Sequence, residues 1–192
     1  MTHSHLAAVT DLEWAVRLLA ATPTHEGRSP ELLRRWAVRA DEFGSRLIPV
    51  ASTARVVERQ DGLERMLLAR YTSRPPTVEL YTDTLARAED LVDDLGWRAW
   101  YPPGSVRAAA LAHEAAHAHL HHGPAKAALR RALGHTVLRL GRHHVNGHVA
   151  GAEEVAAHAY ARTVCGLGRS PLLLTAALRT ALTRPVGHRR EN

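Results

Sequence analysis

Two histidines and a glutamate in the stretch His113-Glu114-Ala115-Ala116-His117 have the residue types and spacing that hydrolytic metal chemistry needs. On a helix, residues four apart differ by about 40° of rotation, so His113 and His117 project from one face and their imidazoles converge. A zinc ion takes three or four ligands, with nitrogen at ~2.0–2.1 Å. Glu114, between the two histidines, is placed to take a proton from a water that such an ion acidifies, without being a ligand itself. With 14 His and 12 Glu in 192 residues, chance alone yields roughly 0.06 copies of this pattern. The surroundings therefore have to support it. Ser105 after Pro102-Pro103-Gly104 reads as an N-cap. Val106, Ala109, Ala110, Ala112, Ala116 and Leu120 recur with near-helical period, and Gly123-Pro124 supplies a stop.

A zinc site needs a third protein ligand. The extended pattern with a further histidine at 123 fails, because Leu120 and Gly123 occupy the required Gly and His positions. His119, His121 and His122 follow closely. At 1.5 Å per residue, however, His121 lies about 12 Å along the axis from His113 and cannot share an ion with it. These three are read as surface residues or as neighbours of the site. The remaining source is a carboxylate on another helix. Glu154, Ala157, His158 and Ala161 share a face whose small residues permit close approach to Ala112, Ala116 and Ala118. Glu153 diverges by about 100° and is the lesser candidate, and first-turn carboxylates that favour the helix dipole are the alternative for both.

The pairing of His113-Glu114-Ala115-Ala116-His117 with Glu154-Val155-Ala156-Ala157-His158-Ala159-Tyr160-Ala161 resembles the two-part signature of the ImmA/IrrE-like metallopeptidases, over about residues 60–168. The resemblance implies a compact zincin-like domain of the gluzincin type, with zinc on His113, His117 and Glu154. It further implies Glu114 as catalytic base and, in some members, regulatory cleavage of a repressor-type protein. His158 departs from the Asn, Asp or Glu usual at its position, and the interval from His117 to Glu154 is longer than in many members. Peptide hydrolysis also calls for a donor to the developing oxyanion; His158, Tyr160 and Tyr101 are the candidates for that role or for steadying the ligands.

Other elements must hold these residues. Thr10-Asp11-Leu12-Glu13 reads as a capping box opening a helix to about Ala21, and Thr22 to Gly27 as a loop. Ser29-Pro30 opens a second helix ending at Gly44. The segment Ala51 to Gln60 is ambiguous, and nothing in the first helices marks a DNA-recognition helix. Met66 to Tyr71 and Thr77 to Tyr81 are predicted strands, joined through Thr72 to Pro76. Thr82 or Asp83 then caps a helix to Leu95, with Trp97, Trp100 and Tyr101 clustered behind it. Lys126, Arg130, Arg131, Arg139 and Arg142 are expected on one or two helices broken near Gly134, followed by a loop through His143, His144 and His148. A helix over Ala152 to Cys165 and a last one from Ser170-Pro171 to Leu182 complete an α+β, predominantly helical fold. Residues 1–60 are expected as an N-terminal helical layer packed on a catalytic domain over 61–192.

Composition narrows the function classes. An aromatic share of 5% leaves Leu, Val and Ala to build the core, which favours closely packed helices. No run approaches the ~20 apolar residues of a membrane span. Asp11 and Glu13 interrupt the only candidate for an export signal, and the lone Cys165 suits a reducing compartment, so a cytoplasmic protein is expected. Residues 1–104 carry 13 arginines against 15 acidic groups, whereas residues 105–192 carry 12 basic against 4 acidic groups. Three of those four are Glu114, Glu153 and Glu154. The expected partner is a protein or peptide substrate. The alternative is a non-catalytic zinc module whose basic second half binds nucleic acid or an acidic protein.

Overall fold

In the computed structural model, residues 3–49, 53–121, 123–141 and 143–183 are described. Helices α1 (His3–Ala8), α2 (Asp11–Ala20) and α3 (Pro30–Ser45) come first. The box at Thr10 forms as its residue types require: Thr10 Oγ1 accepts from Glu13 N–H at 3.2 Å and Glu13 Oε2 accepts from Thr10 N–H at 2.8 Å. Ser29 caps α3 by accepting from Leu32 N–H at 3.3 Å. The stretch between contains a short 3₁₀ turn, Pro23–His25, inside the expected loop.

The ambiguous segment is a strand, β1 (Arg55–Arg59), followed by a one-turn helix α4 (Gly62–Arg65). Met66 adopts φ 53°, closing α4 in the left-handed region, so the strand predicted from Met66 starts later, as β2 (Ala69–Ser73). With β3 (Pro76–Tyr81) these form a three-stranded sheet in the order β1-β3-β2, β1 parallel and β2 antiparallel to β3. β1, on the N-terminal side of the expected boundary at residue 60, thus belongs to one sheet with β3.

Helix α5 (Thr82–Asp94) has neither expected cap. Asp83 instead reaches across to α4, accepting from Gly62 N–H at 3.1 Å and Leu63 N–H at 3.0 Å. Partial burial raises the Asp83 carboxyl pKa, but these backbone donors outweigh it and hold it below the usual range. Thr82 donates to the Arg59 carbonyl. Helix α6 (Ser105–His121) begins at Ser105 itself, whose buried hydroxyl makes no capping bond.

Beyond it, among the described residues of the basic stretch, α7 (Gly123–Leu133) is the helical part. Gly134, at φ 63°, ends it, and the chain continues as a hairpin of β4 (Thr136–Leu140) and β5 (His143–Asn146), in place of the expected helix and loop. The reason is local: β-branched Thr136, Val137 and Val145 suit a pleated surface, and Val137 and Val145 stay exposed rather than forming a buried helix face. Helices α8 (Ala152–Val164) and α9 (Pro171–Thr183) follow.

Helix α8 is the centre of the molecule, packed between α3 and α6 with Val155 through Ala161 all buried. Its alanines leave room for backbone to approach backbone. Gly44 of α3 lies so close that a Cβ there would stand 2.0 Å from the Ala156 carbonyl oxygen. Gly44→Ala is expected to destabilise the protein by about 3 kcal/mol or more, because two rigid helix backbones must separate. A urea midpoint unchanged from the parent would show that α3 and α8 do not meet in this way. Asp11 at the start of α2 adds a polar tie: its carboxylate meets Arg169 at 2.9 Å, Arg162 at 3.3 Å and the Ser170 N–H at 2.9 Å. The N-terminal helices are thereby joined to the α8–α9 junction.

Candidate metal centre

Helix α6 presents His113 and His117 toward α8, where Glu154 occupies the first turn. The apposition depends on small residues: Ala116 and Ala157 are both buried in the seam, with Ala112 packed against them. The two imidazole Nε2 atoms stand 3.0 Å apart. Glu154 Oε1 lies 3.2 Å from His113 Nε2, and Oε2 lies 3.0 Å from His117 Nε2. In a tetrahedron with bonds of ~2.0–2.1 Å the donor atoms are about 3.3–3.4 Å apart, so these groups are already close to the separations an ion would impose. Among the described residues, His113, His117 and Glu154 are the one group of His, Cys, Asp or Glu arranged to hold a metal ion.

The electrostatics agree with that geometry. Burial raises the Glu154 pKa, yet the hydrogen bonds from His113, His117 and His158 prevail and hold the carboxyl far below its ordinary range. Burial and the facing His158 push His113 down, which favours its neutral form, the form that binds a metal ion. For His117, burial works downward but the Glu154 carboxylate raises the net value.

Glu114 is 8% exposed, and its Oε2 accepts a hydrogen bond of 2.8 Å from the backbone N–H of Tyr71 on β2. Sequence reasoning missed this contact, since a backbone donor leaves no trace in residue identity. His158 is buried, lies against His113 with the rings tilted and their centroids 4.3 Å apart, and has its Nε2 3.2 Å from Glu154 Oε1. It stands outside the three-residue donor group. Nδ1 of His113 and Nδ1 of His158 are buried without hydrogen-bond partners.

The other candidates are dispersed. Glu153 turns away as its phase on α8 dictates, toward Lys126 at 3.6 Å and His148 at 3.9 Å. Tyr101 puts its ring against the cavity, but its hydroxyl donates to the Ser170 carbonyl at 2.7 Å, so it is not available as an oxyanion donor. Tyr160 is packed in the α6–α8 seam with Ala116 and Ala157 and does not line the cavity. His119 is half-buried, His121 is exposed at the cavity, and His122 falls outside the described residues. Lys126, Arg130 and Arg131 line an open depression on α7 that shares no residue with the cavity at the donor cluster. Arg142 lies outside the described residues.

Comparison with models of known protein families, with curated proteins and with solved structures finds no match to this chain. Among the described residues, no helix is long and apolar enough to cross a membrane.

Proposed function

We propose that this chain is a zinc-dependent peptidase of the gluzincin type, related in its two-part motif to the ImmA/IrrE-like metallopeptidases. His113, His117 and Glu154 hold the ion. The carrying observation is the convergence of two imidazole nitrogens and two carboxylate oxygens at 3.0–3.2 Å, with a buried glutamate on the turn between the histidines. When bound, zinc supplies Lewis acidity, bringing the pKa of a water toward ~7 and polarising a scissile carbonyl.

The chain's own groups account for the proton traffic. The Tyr71 N–H engages Oε2 of Glu114, which leaves Oε1 to take the proton from the attacking water. The same carboxyl delivers that proton to the leaving amine nitrogen, and the base is restored. His158, at Oε1 of Glu154, steadies that carboxylate against rotation. β2 is an edge of its sheet and borders the cavity, a position along which an extended peptide can lie. A protein partner cleaved in a regulatory step, such as a repressor, is the substrate the family resemblance favours. A purely structural zinc would be expected to take four protein ligands; among the described residues the donor group has three, which supports the open, catalytic reading.

Tag-free protein is expected to carry one zinc per chain and to cleave members of a peptide pool in a chelator-sensitive way. In the double variant His113→Ala, His117→Ala both should vanish, because one carboxylate does not retain the ion. Zinc retained by that variant, measured by atomic emission after dialysis, would place the site elsewhere.

A further inference from the structure

The cavity at the donor cluster is larger than the cluster needs. Its volume is about 480 Å³, and it continues between α6, α9 and the approach to β2. Leu68, Val106, Ala109, Ala110, Leu174 and Leu178 form its walls. An apolar cavity of ~150 Å³ is already enough to take a benzene ring. This space therefore admits an aromatic or long aliphatic side chain with room for the backbone that carries it. Water filling it would find few hydrogen-bond partners along such walls, so an apolar occupant is favoured over solvent.

Two arginines also line it, Arg70 on β2 and Arg179 on α9, both exposed. Neither has an ion-pair partner among the described residues, whereas Arg98, Arg107, Arg162 and Arg169 each pair with a carboxylate. Apolar walls thus run beside two exposed arginines that make no ion pair among the described residues, which favours an approaching negative charge.

We propose that the substrate is an acidic–apolar peptide segment: a large apolar side chain fills the cavity next to the scissile bond, and a carboxylate on the adjoining residue meets Arg70 and Arg179. The words substrate and scissile rest on the peptidase reading above; the binding preference itself does not.

The test uses three probes, N-acetyl-Phe-Glu-amide, N-acetyl-Phe-Gln-amide and N-acetyl-Gly-Glu-amide, titrated by NMR into the full chain after chelator treatment. The Phe-Glu probe is expected to bind at least about tenfold more tightly than Gly-Glu, from burial of the ring, and about threefold more tightly than Phe-Gln, from the exposed ion pairs. The double variant Arg70→Glu, Arg179→Glu should abolish the preference for Glu over Gln and keep that for Phe over Gly. Ala110→Phe should do the reverse by filling the cavity. Should that variant misfold, Leu174→Ala enlarges the same space and is expected to shift preference from Phe toward naphthylalanine.

Equal binding of Phe-Glu and Gly-Glu, or a Glu preference indifferent to the charge reversals, would overturn the proposal. The zinc-loaded chain, assayed on quenched peptides containing the same dipeptides, separates the two readings. Binding in the expected order without any cleavage removes the peptidase reading and leaves the cavity assignment standing; cleavage indifferent to the dipeptide removes the cavity assignment alone.

Discussion

Glu154→Ala is expected to weaken zinc binding on the order of 10²-fold or more, while Glu153→Ala leaves it within about threefold. Loss of a group that merely steadies a ligand already costs 10- to 100-fold in metal affinity, and Glu154 is placed to be a ligand itself. Its two oxygens stand 3.2 Å from His113 Nε2 and 3.0 Å from His117 Nε2. Glu153, one residue earlier and about 100° around the helix, faces Lys126 and His148. Neither change removes packing from the α6–α8 seam, which is made by Ala116, Ala157 and Tyr160. Circular dichroism should therefore be unaltered in both variants. The measurement is competition with a chelator at fixed pH, and a reversed order of the two effects would mean that α8 is rotated from the orientation described.

The second large effect is expected at the proposed base. Glu114→Gln should lower kcat by on the order of 10²-fold or more, because an amide cannot accept the proton that the mechanism moves. The substitution keeps the shape of the side chain, and the amide oxygen can still accept from the Tyr71 N–H, so the hold of β2 on α6 survives. Zinc content and thermal midpoint should accordingly match the parent. Cleavage at the parental rate by this variant, on any peptide the parent hydrolyses, would exclude Glu114 as the base.

Much of the candidate donor cluster is legible in the residue order, since helical phase is a local property. Two histidines at i and i+4 share a face wherever the helix lies, and Glu154 shares its stripe with His158 and Ala161, from which Glu153 diverges. The capping box at Thr10 closes within four residues, so its residue types decide it. The alanine-rich faces of α6 and α8 mark surfaces able to approach closely, although only the fold brings them together.

Where contacts cross between elements, the sequence is silent or points wrongly. Asp83 has the chemistry of a helix cap and is one, but for α4, twenty residues earlier in the chain. Met66 to Tyr71 has strand composition, yet Met66 is taken by the left-handed turn that closes α4. Tyr101 is a hydroxyl donor near the motif in sequence, and the fold commits it to the Ser170 carbonyl.

Residue order by itself determined which side chains leave a helix together, where helices can begin and stop, and that His113, His117 and a glutamate could converge, because these follow from dihedral geometry and short-range hydrogen bonding. Tertiary structure alone decided that a backbone N–H of β2 engages Glu114 and that α9 closes an apolar cavity with α6. It also brought Arg70 and Arg179 to the lining of that cavity. Those arrangements join residues far apart in the chain, and they are selected by the burial of the whole core rather than by any local preference of the residues involved.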